Sequence, residues 1–255
     1  MTKKQSRYIV PNSFTALSML FGFASIAASA EGSFVIAAWM IVWGVLLDKL
    51  DGTAARLLDA CSDFGMEFDS FADFVVFGIA PAALVYFRLS EMAIFQGQWH
   101  NWMVGGIGLY ALATAIRLAR FNVSEPPGSN KLFYGIPTTV CGGLIALLYL
   151  CWDNQGLGEW VLKGAPILMV VCAVAMISSV RLPKLKPHKR LSLNIIQGTC
   201  MLMAYVLAPL MILPEFLLAL EISYVGIGLV WAFRRGSDFL DDLEEAELVA
   251  ERIRD

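Results

Sequence analysis

Eight windows of roughly 20 mostly apolar residues follow one another along the chain, and this feature restricts its possible folds most strongly. A helix that crosses the hydrocarbon core of a bilayer needs about 20 such residues. The windows cover residues 9–29, 33–57, 67–88, 101–121, 136–152, 160–180, 192–213 and 214–233. We therefore predict an all-α, polytopic membrane helical bundle of about eight transmembrane helices. Residues 1–235 form the predicted membrane-embedded domain, and residues 236–255 form an acidic tail.

The positions of Lys and Arg predict the orientation of this bundle, because cytoplasmic loops are enriched in these residues. If the N-terminus is cytoplasmic, only Arg88 and Lys163 of the 19 basic residues fall on the outer side. Both termini are then cytoplasmic, and the expected location is the cytoplasmic (inner) membrane of a prokaryote. The first apolar run ends at Ala28-Ser29-Ala30, which is typical of signal-peptide cleavage. Polar breaks early in the run favour its retention instead.

Composition excludes several classes of protein. With 58% hydrophobic residues and a net charge of -3, the chain lacks the basic surface that binding to nucleic acid requires. The five cysteines stand singly without a CxxC pair, and there are only two histidines, so no zinc-ligand set is present. We expect the cysteines to be small buried apolar residues.

Acidic residues concentrate in one short stretch of the sequence. Seven of the 22 acids lie between Asp48 and Asp73. Asp48 and Asp51 are three residues apart and share one helical face, while Asp69 and Asp73 are four apart and share a face of the next helix. A polar turn near residues 59–63 would fold the two helices back on each other. Four carboxylates are then expected to converge just inside the cytoplasmic boundary of the membrane.

Such a cluster is costly unless a counter-charge is present, because ionised carboxylates near a membrane repel one another and resist desolvation. Hard oxygen ligands suit Mg²⁺ or Mn²⁺. Two such ions about 3.5–4 Å apart form the clamp used in displacement at phosphorus. An acidic ring along a cation pathway, as in a transporter, is the alternative. The small residues Gly52, Ala55 and Gly65 favour a pocket with room for a nucleotide or a phosphate.

The same stretch resembles the signature of the CDP-alcohol phosphotransferases, D-x2-D-G-x2-A-R-x8-G-x3-D-x3-D, at every fixed position. The resemblance implies transfer of a phosphatidyl-type group from a CDP-linked lipid to an alcohol, with release of CMP. It implies two Mg²⁺ or Mn²⁺ ions held by Asp48, Asp51, Asp69 and Asp73, and it makes Asp73 the general base as well. Members of the family commonly form homodimers, so a homodimer is expected.

The resemblance also implies a set of residues that bind the CDP-lipid: Asn12, Thr15, Gly52, Ala55, Arg56, Ser62 and Gly65. By motif position, Gly52 would lie close to the nucleotide and Arg56 would hold the diphosphate. Ser62 and Asn12 are also explained as helix caps.

The acceptor alcohol is indicated by Arg117-Leu-Ala-Arg120-Phe-Asn122, which is followed by Phe133-Tyr-Gly135-Ile-Pro137. This combination, with Arg181-Leu-Pro183, resembles the branch of the family that uses CDP-diacylglycerol and L-serine. Arg117 and Arg120 lie one helical turn apart and suit the carboxylate of serine. Both arginines are equally well placed as anchors at a cytoplasmic helix end. Glycerol phosphate, inositol phosphate, and serine on an archaeal ether lipid stay open as alternatives.

Overall fold

The computed structural model describes residues 3–60, 62–123, 132–183 and 191–235. Within these ranges the α-helices are α1 (Lys3–Ala30), α2 (Phe34–Leu57), α3 (Asp63–Asp73), α4 (Ala80–Ser90), α5 (Trp99–Val123), α6 (Thr138–Gln155), α7 (Trp160–Lys163), α8 (Ala165–Ile177), α9 (Leu191–Leu207) and α10 (Pro214–Arg235). A π-helical turn (Phe74–Ile79) joins α3 to α4, and a 3₁₀ turn covers Ala93–Gln96. The predicted tail over 236–255 lies outside the described residues.

The all-α class is confirmed, and the chain is an integral membrane protein. Four helical stretches of the described chain are long and apolar enough to cross a membrane: Arg7–Ala30, Asp63–Ser90, Trp99–Val123 and Pro214–Arg234. The other predicted spans coincide with helices that are shorter or more polar. Asp48, Lys49 and Asp51 lie within α2, for example, while α8 has 13 residues. The count of eight crossing helices therefore stays a prediction.

Two predicted spans differ in detail from the helices. The window at 160–180 is divided at Gly164, because Pro166 lies in the first turn of α8 and lacks the N–H that a continuous helix would use. The window at 192–213 is longer than its helix, which ends at Leu207, shortly before Pro209. Proline thus sets both boundaries.

The first two helices form an antiparallel hairpin. The rings of Phe21 and Trp43 are stacked with their centroids 5.6 Å apart, and the Ser25 hydroxyl donates to the Ala37 carbonyl at 2.8 Å. Gly32 in the connection has a φ of +78°, which favours glycine. The hairpin brings the first turns of α1 beside the last turns of α2, where Asp48 lies.

The π-helical turn occupies the centre of the bundle. Val76 is packed so closely against α1 and α2 that an added Cβ at Gly22 would lie 2.9 Å from it, and one at Gly44 would overlap it. Phe77 packs in the same way against Gly142 of α6. Glycines on three neighbouring helices (α1, α2 and α6) therefore let these helices approach the turn closely.

A short two-stranded sheet, absent from the sequence prediction, ties α6 to α8. Strand β1 (Leu132–Tyr134) pairs antiparallel with β2 (Arg181–Pro183), with Phe133 opposite Leu182. Gly135 follows β1 with a φ of +73°, and a Cβ there would overlap the Met176 carbonyl. The two segments linked to the acceptor in the sequence analysis thus contact each other. Strands of three residues are too short to produce a period-2 pattern.

The cysteines and Glu221 are the remaining residues on which sequence and structure can be compared. Cys141, Cys151 and Cys172 are buried as expected, whereas Cys200 is partly exposed and Cys61 lies outside the described residues. Glu221 of α10, for which the sequence predicts no role, has a buried Oε2 atom without a hydrogen-bond partner among the described residues. A Cβ added at Gly143 of α6 would lie 2.9 Å from Glu221 Oε1. The close approach of Glu221 therefore explains the glycine at this position.

Candidate active site

The structure brings the four motif aspartates together at one end of the bundle. Carboxylate oxygens of Asp48, Asp51 and Asp69 lie within 4.8 Å of one another. The carboxyl group of Asp73 lies against that of Asp48 and within electrostatic range of the other two. Helices α2 and α3 can present these side chains to one point because the turn between them reverses the chain.

The reversal depends on local backbone features. Asp59 adopts a positive φ of 49°, a conformation that Asp tolerates better than most residues. Ser62 caps α3, since its hydroxyl oxygen accepts a hydrogen bond of 3.1 Å from the Gly65 N–H. The alternative interpretation as a helix cap is therefore confirmed for Ser62 and wrong for Asn12, which lies in the interior of α1. The hydroxyl hydrogen of Ser62 is still available to a ligand.

The four aspartates have no salt-bridge partner among the described residues. Asp51 is only 5% exposed. Buried carboxylates in this arrangement are stable when a cation joins them. Several carboxylate oxygens around one point are the ligand set that Mg²⁺ and Mn²⁺ prefer, so the donors fit divalent metal ions.

Two threonine hydroxyls orient the acidic groups. Thr15 of α1 donates to Asp51 Oδ2 at 2.8 Å, and Thr139 of α6 donates to Asp48 Oδ2 at 3.5 Å. Thr139 is absent from the sequence prediction, although it lies only two residues after the predicted acceptor segment that ends at Pro137. Tyr205 of α9, also not predicted, lies within electrostatic range of Asp48.

One side of the cluster is open. A Cβ added at Gly52 would meet no atom within 4 Å, so there is free space over this part of α2. One turn further along, Ala55 is half-buried, and Arg56 is exposed in the last turn of the helix. This edge of the site combines free volume with an accessible guanidinium group, as a nucleotide diphosphate requires.

Three more residues predicted to bind the CDP-lipid lie close together at the N-terminal end of α3. A Cβ at Gly65 would lie 3.1 Å from Ser62 Oγ and 3.4 Å from Asn12 Oδ1. Asn12 is therefore close to Ser62, and Asn12 lies one turn before Thr15 on α1. The structure thus groups the predicted residues of α1 and α3 beside the aspartates.

Arg117 of α5 faces the cluster from the opposite side. Its guanidinium group is close enough to Asp73 for a favourable charge interaction, and its Nη1 lies 3.5 Å from the Thr138 hydroxyl. Its Nε is buried and has no hydrogen-bond partner among the described residues. A buried guanidinium N–H without a partner is costly, so this atom is suited to a ligand.

The other two residues predicted to bind the acceptor have hydrogen-bond partners on α8 and α3. Arg120 Nη1 contacts the Ile177 carbonyl at the end of α8, at 3.4 Å. The Asn122 amide accepts from Ser70 Oγ at 3.1 Å and donates to Glu67 Oε2 at 3.3 Å. Asn122 therefore fastens α5 to α3. Glu67 of α3 forms one end of this connection.

Fold and site define an integral membrane protein with a cluster of acidic residues suited to divalent metal ions. The family model for CDP-alcohol phosphatidyltransferase matches residues 8–180. The chain belongs to this family.

Curated relatives share most of this region. The chain is 38% identical over 192 residues to a CDP-diacylglycerol–serine O-phosphatidyltransferase of Helicobacter pylori (strain J99), covering 71% of this chain and 75% of the relative. It is 34% identical over 185 residues to an archaetidylserine synthase of Methanothermobacter thermautotrophicus, with 71% and 73% covered. It is 30% identical over 190 residues to a CDP-diacylglycerol–serine O-phosphatidyltransferase of Bacillus subtilis, with 70% and 92% covered.

Proposed function

We propose that this protein transfers the phosphatidyl group of CDP-diacylglycerol to the hydroxyl of L-serine, giving phosphatidylserine and CMP. The observation that carries this proposal is the convergence of Asp48, Asp51, Asp69 and Asp73 at one point. The relatives whose names specify serine transfer support it.

The four aspartates would hold two divalent ions, Mg²⁺ or Mn²⁺. When bound, such ions neutralise the charge of the diphosphate and of the leaving CMP. Thr15 and Thr139 would keep Asp51 and Asp48 oriented through their hydrogen bonds. This support of metal ligands by neighbouring donors is common in metal sites.

The CDP-lipid would lie along the open edge of α2. The residues that would contact it are Asn12, Thr15, Gly52, Ala55, Arg56, Ser62 and Gly65. The free space at Gly52 would accept the nucleotide, and the Arg56 guanidinium would pair with phosphate oxygens. Thr15 would contribute mainly through Asp51, because its hydroxyl hydrogen is directed to that carboxylate.

In the reaction step, the serine hydroxyl oxygen attacks the phosphorus atom that carries the diacylglycerol. Asp73 accepts the hydroxyl proton, since a carboxylate next to the attacking oxygen is a competent general base. The bond from this phosphorus to the bridging oxygen breaks, and CMP leaves with that oxygen. Phosphatidylserine, CMP and one proton are the products.

Arg117 would bind the carboxylate of serine. It is the arginine that approaches Asp73, and its buried Nε lacks a partner among the described residues. Arg120 and Asn122 would border the same end of α5 without sharing this contact. A phosphate-bearing acceptor, such as glycerol phosphate or inositol phosphate, would also use an arginine here and is the alternative.

The lipid donor could also be an ether lipid, because one relative is named archaetidylserine synthase. We further propose that eight segments cross the cytoplasmic membrane of a prokaryote, with both termini and the active site on the cytoplasmic side. The distribution of Lys and Arg supports this orientation. A homodimer stays a prediction from the family resemblance.

The decisive experiment supplies the purified protein and Mn²⁺ with CDP-diacylglycerol, or its ether-linked counterpart, and one isotopically labelled alcohol at a time. Serine should give labelled phosphatidylserine and an equal amount of CMP. A labelled product only with glycerol phosphate or inositol phosphate would identify another acceptor. Metal flux into sealed vesicles without release of CMP would favour a cation transporter and contradict the proposal.

A further inference from the structure

Helix α5 runs antiparallel to the continuous helix that carries Asp73, and polar contacts connect the two. Tyr110 donates its hydroxyl hydrogen to the Phe77 carbonyl at 2.5 Å. Seven residues later on the same face of α5, Arg117 approaches Asp73. Phe77 follows Asp73 by four residues, about one helical turn. The two contacts from α5 therefore hold adjacent turns of the helix that carries Asp73.

The Phe77 carbonyl lacks the donor that a regular α-helix would give it. In a regular α-helix it would accept from the N–H of residue 81, but residue 81 is Pro and has no N–H. The backbone is already rearranged here, since the Ala80 N–H reaches back five residues to the Val75 carbonyl. Phe77 and Tyr110 are fully buried, with 0% exposure. The Tyr110 hydroxyl therefore supplies a buried hydrogen bond in place of the one that Pro81 removes.

The π-helical turn (Phe74–Ile79) begins directly after Asp73. The direction of the Asp73 side chain thus depends on the backbone path through the turn. Packing of Val76 against Gly22 and Gly44 fixes one side of it. The hydrogen bond from Tyr110 to the Phe77 carbonyl holds the side of the turn that faces α5. Turns of this kind occur frequently at functional sites.

We propose that Tyr110 is a positioning residue for Asp73. By donating to the Phe77 carbonyl, it holds the π-helical turn in the path that directs the Asp73 carboxylate toward the acceptor hydroxyl. The inference rests on the proposed function, in which Asp73 takes the proton of that hydroxyl. Tyr110 itself touches no substrate in this scheme.

The first test compares Tyr110→Phe with the parent protein in steady-state kinetics. A displaced general base slows the chemical step but leaves substrate binding intact, so kcat should fall about tenfold or more. The KM values for CDP-diacylglycerol and serine should stay within about twofold of those of the parent. Tyr149→Phe is the matched control, because Tyr149 is also buried but packs against Phe34, away from the aspartates. A kcat of Tyr110→Phe equal to that of the control would overturn the proposal.

The second test restores the missing donor by another route. In the double variant Pro81→Ala/Tyr110→Phe, the N–H of residue 81 can donate to the Phe77 carbonyl. The double variant should recover most of the kcat lost in Tyr110→Phe. A double variant as slow as Tyr110→Phe would show that the missing hydrogen bond is not the cause. If Tyr110→Phe alone does not fold, the kcat of the double variant is compared with that of the parent protein instead.

Asp73→Asn in the same assay separates the two proposals. If Asp73→Asn turns over normally, the role of Asp73 as general base fails, whatever Tyr110→Phe does. If Asp73→Asn is inactive while Tyr110→Phe and the control have the same kcat, the proposed function stands and only the role of Tyr110 fails.

Discussion

The Thr15 hydroxyl of α1 donates a hydrogen bond of 2.8 Å to Asp51 Oδ2 of α2. Both residues are buried, with 4% and 5% exposure. The same hydroxyl lies 3.2 Å from the Pro11 carbonyl of its own helix, so its rotation is restricted. The first helix therefore orients one member of the acidic cluster, and a hydrogen bond to a charged group of this kind contributes about 1.5–3 kcal/mol.

Thr15→Val should weaken the response to metal more than it weakens lipid binding. Without the hydroxyl, Asp51 loses its orienting donor, and the Mn²⁺ concentration for half-maximal activity should rise about tenfold. Thr15→Ser, which keeps a hydroxyl, should stay close to the parent. Thr53→Val is the control, because the Thr53 hydroxyl is exposed and donates to the Lys49 carbonyl of its own helix. Activation by Mn²⁺ that is unchanged in Thr15→Val would contradict this role.

The contrast between Asp51 and Thr139 shows what the sequence can predict. The spacing of Asp48 with Asp51, and of Asp69 with Asp73, is local, so helical periodicity alone assigns each pair to one face. The contact of Thr139 with Asp48 joins residues 91 positions apart and depends on how α6 packs on α2. No local pattern in the sequence encodes that packing. The hydrogen bonds of the Asn122 amide with Ser70 and Glu67 likewise join residues 52 and 55 positions apart, so no local pattern predicts them.

Substitution by alanine should have different effects at two glycines of α2. Gly52 faces free space, so Gly52→Ala should fold with unchanged thermal stability and raise the KM for the CDP-lipid, because the added methyl enters the nucleotide pocket. Gly44 faces Val76, and the added Cβ would overlap it, so Gly44→Ala should lose about 1–3 kcal/mol of stability. Thermal melts in detergent and steady-state kinetics distinguish the two effects. A destabilised Gly52→Ala with an unaltered KM would argue against a nucleotide at this edge.

Arg117→Ala should raise the KM for serine more than the KM for CDP-diacylglycerol. A guanidinium group that binds a carboxylate through charge-assisted hydrogen bonds contributes about 1.5–3 kcal/mol, which corresponds to a change of about tenfold or more in the KM for serine. Arg120→Ala is the matched control, since its Nη1 contacts the Ile177 carbonyl instead. Equal KM values for serine in both variants would assign Arg117 to anchoring at the membrane boundary.

Divalent ions should stabilise the folded protein. Four carboxylates this close together repel one another, and an ion that binds only the folded state raises stability by about 2.7 kcal/mol at 100 times its Kd. Addition of Mn²⁺ to protein treated with a chelator should therefore raise the melting temperature by several degrees, because the added free energy of unfolding has to be overcome by heating. Asp48→Ala should lose most of this response. A response to Mn²⁺ as large in Asp48→Ala as in the parent would place the ion elsewhere.

Asp73→Asn should abolish turnover and leave binding of the CDP-lipid largely intact. The amide is nearly the same size as the carboxyl group but cannot accept the proton of the serine hydroxyl, and the loss of a general base lowers kcat about 10²–10⁴-fold. Release of CMP in a single turnover measures the step, and equilibrium binding of labelled CDP-diacylglycerol measures the complex. Asp63→Asn serves as the control, because Asp63 is an exposed carboxylate in the first turn of the same helix. Turnover of Asp73→Asn close to that of Asp63→Asn would mean that another group accepts the proton.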